Sequence, residues 1–483
     1  MDQRALKNIL KLLSVIGISL GIFFWIPIAA GIYYGELCAP IVEFDLVFLG
    51  FNVALFLHLR EHTLSLTLKE GILSVNLIWM LVGVAGAIPL WLCTDITLVQ
   101  GFFEAISGFT TTGATVYAEI DTLPKMVLML RSLMHWLGGM GILVLGVGLF
   151  SLINPSGSLA LFKSEATGVR LEKATPKIKD TAMRLWGIYV LLTAADALLL
   201  HWEGMGFFDA INHAMSTIST GGFSTRTASL GAFDTPSILW TTTFFMMASG
   251  INFLAHLKLF HGDLRGYRSE ETVWYILIFL ILGTMLSLVR FGSSDATFGD
   301  SVTHAFFNIA SLLTTTGFVS VDYETWGRTA VVLCFAAMLF GGNGGSTAGG
   351  AKVIRFVVSA KVIGAEVKKI LHPNAIVNIF IDRSPVSITL VQATYGFMML
   401  FSLTNIFVAF YLYAAGYDAL TAASAAIACV ANVGPGFGGV GPACNYGIFD
   451  DLDAMVLALG MILGRLEFYT FFLMLIPAFW KRF

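Results

Sequence analysis

Four short stretches of this chain have residue types suited to holding a bare cation. They are Ser107-Gly108-Phe109-Thr110-Thr111-Thr112-Gly113, Ser216-Thr217-Ile218-Ser219-Thr220-Gly221-Gly222, Ser311-Leu312-Leu313-Thr314-Thr315-Thr316-Gly317 and the more altered Ala428-Cys429-Val430-Ala431-Asn432-Val433-Gly434. Glycine permits a left-handed backbone, so that consecutive carbonyls can turn to one side. Threonine before it adds a hydroxyl and a stiff, β-branched side chain. Peptide oxygens from several such loops can replace the hydration shell of an ion. The shared glycines Gly113, Gly222, Gly317 and Gly434 recur at intervals of 109, 95 and 117 residues, longer than solenoid or propeller periods. One copy alone reads as an ordinary turn; four in register read as one lining.

The elements that must position these loops follow from hydropathy. The chain of 483 residues is 57% hydrophobic and 12% charged, against about 25% charged residues in soluble domains, which makes it an integral membrane protein. A span needs about 20 apolar residues. Such runs fall near 9–33 and 40–58, then in pairs near 71–92 and 125–152, 183–202 and 235–260, 271–290 and 328–365, and 386–414 and 452–480. Between each pair lies a short apolar segment, 97–109, 206–218, 300–313 or 418–430. At 1.5 Å per residue each reaches only ~18 Å, too little for a ~30 Å core, so it enters the membrane and returns. Polar backbone at that depth is tolerated only in a water-filled lining or inside protein. The expected fold is an all-α membrane protein of ten full spans and four half-spans, with four pseudo-symmetric repeats around one central pore. The units are 1–65 (two N-terminal spans), 66–160, 161–262, 263–368 and 369–483.

Most of the 28 Lys and Arg fall on one set of connections if the N-terminus is cytoplasmic, as the positive-inside preference requires. The opposite face carries Glu36, Asp95, Glu119, Asp121, Asp295, Asp300, Asp322, Glu324, Asp418, Asp450, Asp451 and Asp453, an acidic mouth expected to concentrate cations. The run from Ile9 to Ile32 lacks a cleavage site and reads as a span, not a removable signal. A net charge of −3 gives no reason to expect nucleic acid. The five cysteines lack C-x-x-C spacing and read as small buried hydrophobes, neither zinc ligands nor a disulfide framework.

Two further features lie on the inner side of the loops. Gly341-Gly342-Asn343-Gly344-Gly345-Ser346-Thr347-Ala348-Gly349-Gly350 interrupts the second span of repeat three. Small residues also serve close helix packing, but six glycines, each costing ~1 kcal/mol in a helix, point to a flexible loop that gates the pore from beneath. Arg465 sits mid-span, where a charge faces a cavity or a partner. Its preferred role is an electrostatic barrier below the filter, the alternative a structural ion pair.

Together with the loops, Trp136-Leu137-Gly138-Gly139-Met140-Gly141, the stretch 341–350 and Gly464-Arg465-Leu466-Glu467, the chain resembles the superfamily of bacterial Trk and Ktr potassium uptake subunits. The two extra N-terminal spans favour its TrkH/TrkG branch. That resemblance implies K+ as the transported ion with no organic cofactor, a homodimer in the bacterial inner membrane with both termini cytoplasmic, and a cytosolic nucleotide-binding TrkA-like gating partner. The polar segments 154–182 and 364–384 would dock that partner. Ala431-Asn432-Val433 cannot supply the hydroxyls of the other copies, and each loop has one shared glycine, so fewer ordered sites and weaker sodium exclusion than in potassium channels are expected.

Competing readings are an H+- or Na+-coupled carrier, whose mark would be inverted repeats, and an intramembrane metalloprotease on His58, Glu61 and His62. Gly436-Phe437-Gly438-Gly439-Val440-Gly441 matches G-x-G-x-x-G without a preceding strand. No Walker lysine motif occurs, and no enzymatic role is expected. His213 and His304, on the short segments, are expected to pack or hydrogen-bond, not to bind metal.

Overall fold

The computed structural model describes residues 3–64, 66–148, 178–233, 235–374 and 377–481. The chain begins with a hairpin of α1 (Gln3–Tyr34) and α2 (Ala39–His58). Pro40 sits in the first turn of α2, where its missing N–H costs nothing.

Four times the chain then runs as a long helix, a short helix, an extended loop and a second long element. The long helices are α3 (Leu68–Cys93), α6 (Ile178–Trp202), α10 (Glu270–Ser293) and α14 (Ile388–Ala414). The short ones are α4 (Leu98–Phe109), α7 (Phe207–Ile218), α11 (Phe298–Leu313) and α15 (Ala419–Val430). Three of the short helices are started by side-chain caps, since Thr97, Thr297 and Asp418 accept from backbone N–H groups of the first turn. Among the described residues, six helices are long and apolar enough to cross a membrane, or eight if each of two bent pairs is one span.

The packing closes a ring. Each short helix lies against the long helix before it and against the second element of the preceding repeat: α7 on α5 (Lys125–Gly148), α11 on α8 (Pro236–Ser249), α15 on α12 (Arg328–Phe340) and α4 on α16 (Asp451–Arg465). The fourth repeat therefore meets the first. The short helices are largely buried, whereas α2 turns Val47 and Phe51 outward, 73% and 66% exposed, the apolar exterior a bilayer requires.

Two expectations need correction. The second spans of repeats two and four are not continuous: α8 meets α9 (Phe253–Leu259) at 99°, and α16 meets α17 (Tyr469–Leu475) at 114°. In repeat three, α12 and α13 (Val353–Leu371) flank the glycine-rich stretch, as its composition suggests. The three breaks are one layer. Asn343 N donates to Gly250 O (2.8 Å) and Phe253 N to Gly345 O (3.1 Å), while Arg465 Nη1 donates to Thr347 O (3.0 Å). The break after α16 uses left-handed backbone at Glu467 and Phe468, φ 55° and 62°, invisible to hydropathy because both neighbours remain apolar.

The cysteine expectation is also corrected in part. Cys38, just before α2, and Cys93, the last residue of α3, form a disulfide with Cα atoms 6.1 Å apart. Their separation of 55 residues hides the fact that both lie at the same end of neighbouring spans. Cys334 and Cys429 are buried as expected, and Cys444 is exposed.

On the other face a two-stranded hairpin, β1 (Phe380–Ile381) and β2 (Ser384–Pro385), turns through Asp382 and Arg383, both at positive φ. Its turn is tied to α10, since Glu270 N donates to Asp382 Oδ1 (2.8 Å).

Candidate ion pathway

Each short helix ends in the same way. Thr112 N donates to Ser107 O (2.9 Å) and Thr111 N to Gly108 O (3.0 Å). Gly221 and Thr220, Thr316 and Thr315, and Val433 and Asn432 repeat that pair of bonds. This is a Schellman ending, whose left-handed residue is ordinarily glycine. Here it is Thr111, Thr220, Thr315 and Asn432, at φ 54°, 55°, 57° and 56°. Three β-branched residues in that region are strained, which is a mark of functional backbone. Asn432 has the side chain that tolerates it best, so the fourth copy departs in residue type while keeping the geometry.

Two residues later come Gly113, Gly222, Gly317 and Gly434, at φ 83°, 85°, 83° and 101°. A Cβ on Gly113 would lie 2.1 Å from Gly221 O, on Gly222 1.9 Å from Thr316 O, on Gly317 2.2 Å from Val433 O and on Gly434 2.6 Å from Thr112 O. The four contacts run one, two, three, four and back to one. The four loops therefore share one axis, with alternating carbonyl and glycine around it.

Most of the loop hydroxyls bond within the protein, while Thr111 Oγ1 is buried without a hydrogen-bond partner. Thr110 Oγ1 donates to Ile106 O (2.6 Å), Thr112 Oγ1 lies 2.7 Å from Thr110 Oγ1, and Asn432 Nδ2 donates to Thr112 Oγ1 (2.9 Å). With the Thr110 proton used on Ile106, Thr112 must donate to Thr110. Thr314 and Thr316 repeat the arrangement at 2.7 Å, with Thr314 donating to Ala310 O. Ser219 Oγ donates to Met215 O (2.7 Å) and Thr220 Oγ1 to Ser219 O (2.6 Å). These side chains bond within and behind the loops, and the carbonyls of Thr112, Gly221, Thr316 and Val433 are the ones that reach the neighbouring glycines. In the fourth copy Gly434 O accepts from Tyr446 Oη (2.7 Å) and Ala431 O from Gly350 N (2.8 Å).

Sequence reasoning missed the outer supports. One residue of each short helix pins the outgoing strand of its own loop. Glu104 accepts from Thr115 Oγ1 and Val116 N (3.0 Å each), His213 Nε2 meets Ser224 Oγ (2.8 Å), Asn308 Nδ2 donates to Ser320 Oγ (3.2 Å), and Ser424 Oγ donates to Phe437 O (3.0 Å). His304 Nδ1 also lies 2.9 Å from Ser320 Oγ. Both histidines thus have the hydrogen-bonding part expected of them. Arg131, 1% exposed, pairs with Glu104 (2.8 Å) and donates to Ser224 O (3.1 Å), stitching loop one to loop two. The Arg–Glu pair sits within apolar runs, where only its spacing to the glycine could have drawn notice.

Outside the glycine ring lies a cavity of about 80 Å³ lined by the four glycines, Arg131 and Arg226. Among the described residues its lining includes no carboxylate. Several of the acids expected at the mouth lie outside this lining, where they pair with arginine or accept hydrogen bonds from neutral donors. Asp300 binds Arg290 and His304, Asp453 accepts from Tyr411 and Tyr417, Asp451 accepts from Thr97, and Glu324 from Gly438 N. Asp121 sits below the usual carboxylate range: burial pushes it up, but hydrogen bonds from Thr227 and the charge of Arg226 outweigh that.

Beneath the ring the glycine-rich loop touches three of the four copies. Thr347 Oγ1 donates to Ile218 O (3.0 Å), Gly349 N to Thr315 Oγ1 (2.6 Å), and Gly350 N to Ala431 O. Gly344 N donates to Glu271 Oε1 (2.7 Å), and Asn343 Nδ2 to Thr272 Oγ1 (2.8 Å). Gly341 would place a Cβ 2.5 Å from Gly349 O and Gly342 one 2.6 Å from Ala348 Cβ, so both are close approaches. Ser346 Oγ closes the turn on Asn343 O (2.6 Å). Arg465 ends α16 instead of lying mid-helix; it is buried, and the bond it makes is to Thr347 O, not to a carboxylate. The carboxylate two residues on, Glu467, pairs with Arg355 (3.0 Å).

Other candidates disperse. Glu61 is exposed beside Arg60, and His62 Nε2 lies 2.9 Å from Asn8 Oδ1. No group of three His, Cys, Asp or Glu that could hold a metal occurs among the described residues. Most of segment 154–182 lies outside the described residues.

A family model named TrkH and described as a cation transport protein matches residues 41–266 and 270–482. The chain is 36% identical over 429 residues to the Trk system potassium uptake protein TrkH of Escherichia coli K12, covering 88% of each. To TrkH of Vibrio parahaemolyticus it is 35% identical over 487 residues, covering 98% of this chain and 99% of that one. The crystal structure of the potassium transporter TrkH from Vibrio parahaemolyticus superposes with a TM-score of 0.88 at 33% identity, over 99% of this chain and all of that one.

Proposed function

The chain belongs to the TrkH cation transport family, and from that premise we propose that it takes up potassium across the bacterial inner membrane through a gated, selective pore. The observation that carries this is the closed ring in which each glycine receives its neighbour's carbonyl. Four converging peptide oxygens offer a dehydrated K+ what water gave it. In this reading Thr110–Gly113, Ser219–Gly222, Thr314–Gly317 and Ala431–Gly434 form the filter. The carbonyls of Thr112, Gly221, Thr316 and Val433 face the ion, while the side chains of Thr110, Thr112, Ser219, Thr314 and Thr316 brace the loops. The short helices end at these loops, so about −0.5 of partial charge per helix favours a cation there.

The gate is the loop 341–350 with Arg465. Its bonds to the ends of three filter copies must break or slide for an ion to pass, and the cation at its base opposes passage while it stays in place. A cytosolic TrkA-like subunit would act from the inner face, on segments 154–182 and 364–384, and the working unit is a homodimer with both termini cytoplasmic. Arg355–Glu467 links α13 to the break after α16, which supports α13 as the lever. The chain acts without an organic cofactor or a chemical step.

The test is isotope flux into proteoliposomes, with potassium, rubidium, sodium and caesium in competition and with or without a membrane potential. Potassium and rubidium should displace one another and sodium should compete weakly. Equal competition by all four, or no flux, would overturn the assignment.

A further inference from the structure

The cavity just outside the glycine ring presents two arginines to a path meant for cations. They are not equivalent. Arg131 is 1% exposed, clamped to Glu104, with its guanidinium 4.0 Å from the Phe223 ring. It is a fixed strut. Arg226 keeps a side chain 44% exposed, and stands between Asp209 of α7 (2.8 Å) and Asp121 of the first outer loop (3.5 Å).

Those two carboxylates are held for it. Asp209 accepts from Thr225 Oγ1 (2.6 Å), and Asp121 from Thr227 N (3.0 Å). Thr227 Oγ1 accepts in turn from Ile120 N (2.9 Å), and Arg226 N donates to Ser224 Oγ (3.0 Å). Other charged groups nearby are Arg131 in the same cavity, Lys125, which stacks on Tyr34 at 3.9 Å and reaches the Phe208 ring at 6.0 Å, and Glu36, which accepts from Lys125 N (2.6 Å). The triad carries a net single negative charge. Without Arg226 it carries two, on adjacent hard oxygen ligands at the entrance. That is the chemistry that captures Ca2+, which takes several carboxylate oxygens in flexible geometry. A planar guanidinium satisfies both acids with directed N–H groups while adding the opposing charge.

We propose that Arg226 is a specificity-determining residue of the outer mouth: it occupies the Asp121–Asp209 pair so that divalent cations cannot lodge above the filter, and leaves one net negative charge to attract a monovalent ion. The inference rests on the transport reading above.

The test is 86Rb+ uptake by the full chain in proteoliposomes, with CaCl2 titrated on the outer side. Arg226→Gln should be inhibited by Ca2+ at a concentration at least about tenfold below that for the wild type, because the site gains one unit of negative charge and its two carboxylates lose the guanidinium between them. Arg226→Lys should stay near wild type, and adding Asp121→Asn and Asp209→Asn to Arg226→Gln should abolish the gained sensitivity. A transporting Arg226→Gln with the wild-type Ca2+ response overturns the proposal. Should that variant fail to fold, Asp121→Asn/Asp209→Asn with Arg226 intact serves. The bare cation should then raise the half-saturating Rb+ severalfold, an effect that shrinks as ionic strength rises; an unchanged value overturns the proposal equally. Absence of Rb+ uptake by the wild type would instead strike the transport reading.

Discussion

Replacing the four ring glycines by alanine, one at a time, should produce graded rather than uniform damage. A Cβ does not approach a backbone atom closer than 3.0 Å, and the added atoms would lie 1.9, 2.1, 2.2 and 2.6 Å from the neighbouring carbonyl oxygens at Gly222, Gly113, Gly317 and Gly434. The loops must therefore part by about 1.1, 0.9, 0.8 and 0.4 Å, respectively. A binding constellation works within ~0.5 Å of its productive geometry, so three substitutions exceed that tolerance and the fourth does not. Alanine in left-handed backbone adds roughly 1–2 kcal/mol of strain at every site, a term that affects folding more evenly.

Discrimination between ions should therefore fall at least about tenfold, or ~1.4 kcal/mol, in Gly222→Ala, Gly113→Ala and Gly317→Ala, and much less in Gly434→Ala. Gly187→Ala on α6, with open space around its added methyl, controls for substitution in a membrane helix. The assay is Rb+ against Na+ uptake in proteoliposomes, with protein recovery measured in parallel. Equal selectivity in all five proteins, or a worse defect in Gly434→Ala than in Gly222→Ala, would refute the argument that these carbonyls set the passage.

Arg131→Met should lower stability by ~3–5 kcal/mol, because Glu104 is left buried and charged, while Arg131→Met with Glu104→Gln recovers part of the loss; thermal unfolding in detergent reads both. Thr315→Val removes the acceptor for Gly349 N and should raise basal Rb+ flux in the absence of any partner, since the loop then loses one of its three holds on the filter. Cys38 and Cys93 should resist alkylation until the protein is reduced, with Cys444 labelled throughout, as mass spectrometry of intact protein would record.

Much of the architecture was legible because the bilayer imposes it. A segment such as 97–109 can neither span nor leave, and four repeats of that predicament fix the count and order of the elements. The four loops could be found for a related reason: left-handed backbone two residues apart needs glycine at one position, and the repeat exposes which one. At the other, Thr111, Thr220 and Thr315 are strained where glycine would be easy, and composition alone points away from the true conformation. Of their hydroxyls, that of Thr220 donates to Ser219 O and that of Thr315 accepts from Gly349 N, while that of Thr111 is buried without a hydrogen-bond partner.

What hydropathy could not convey is how a span ends. Residues 452–480 read as one apolar run, yet the chain turns by 114° after Arg465. The cause lies elsewhere in the sequence: Gly464 would bring a Cβ within 1.9 Å of Val430 O, at the end of the short helix α15, and the layer beneath the ring must accommodate ten residues of loop from repeat three. The same layer takes the freed Phe253 amide onto Gly345 and the Arg465 guanidinium onto Thr347. Backbone groups at that depth have no water to turn to, so each break is tolerable only because the others supply its partners. A change that lengthens or removes the loop 341–350 should therefore disturb the bends at 250–252 and 466–468 as well, which couples the inner ends of three repeats into a single moving part.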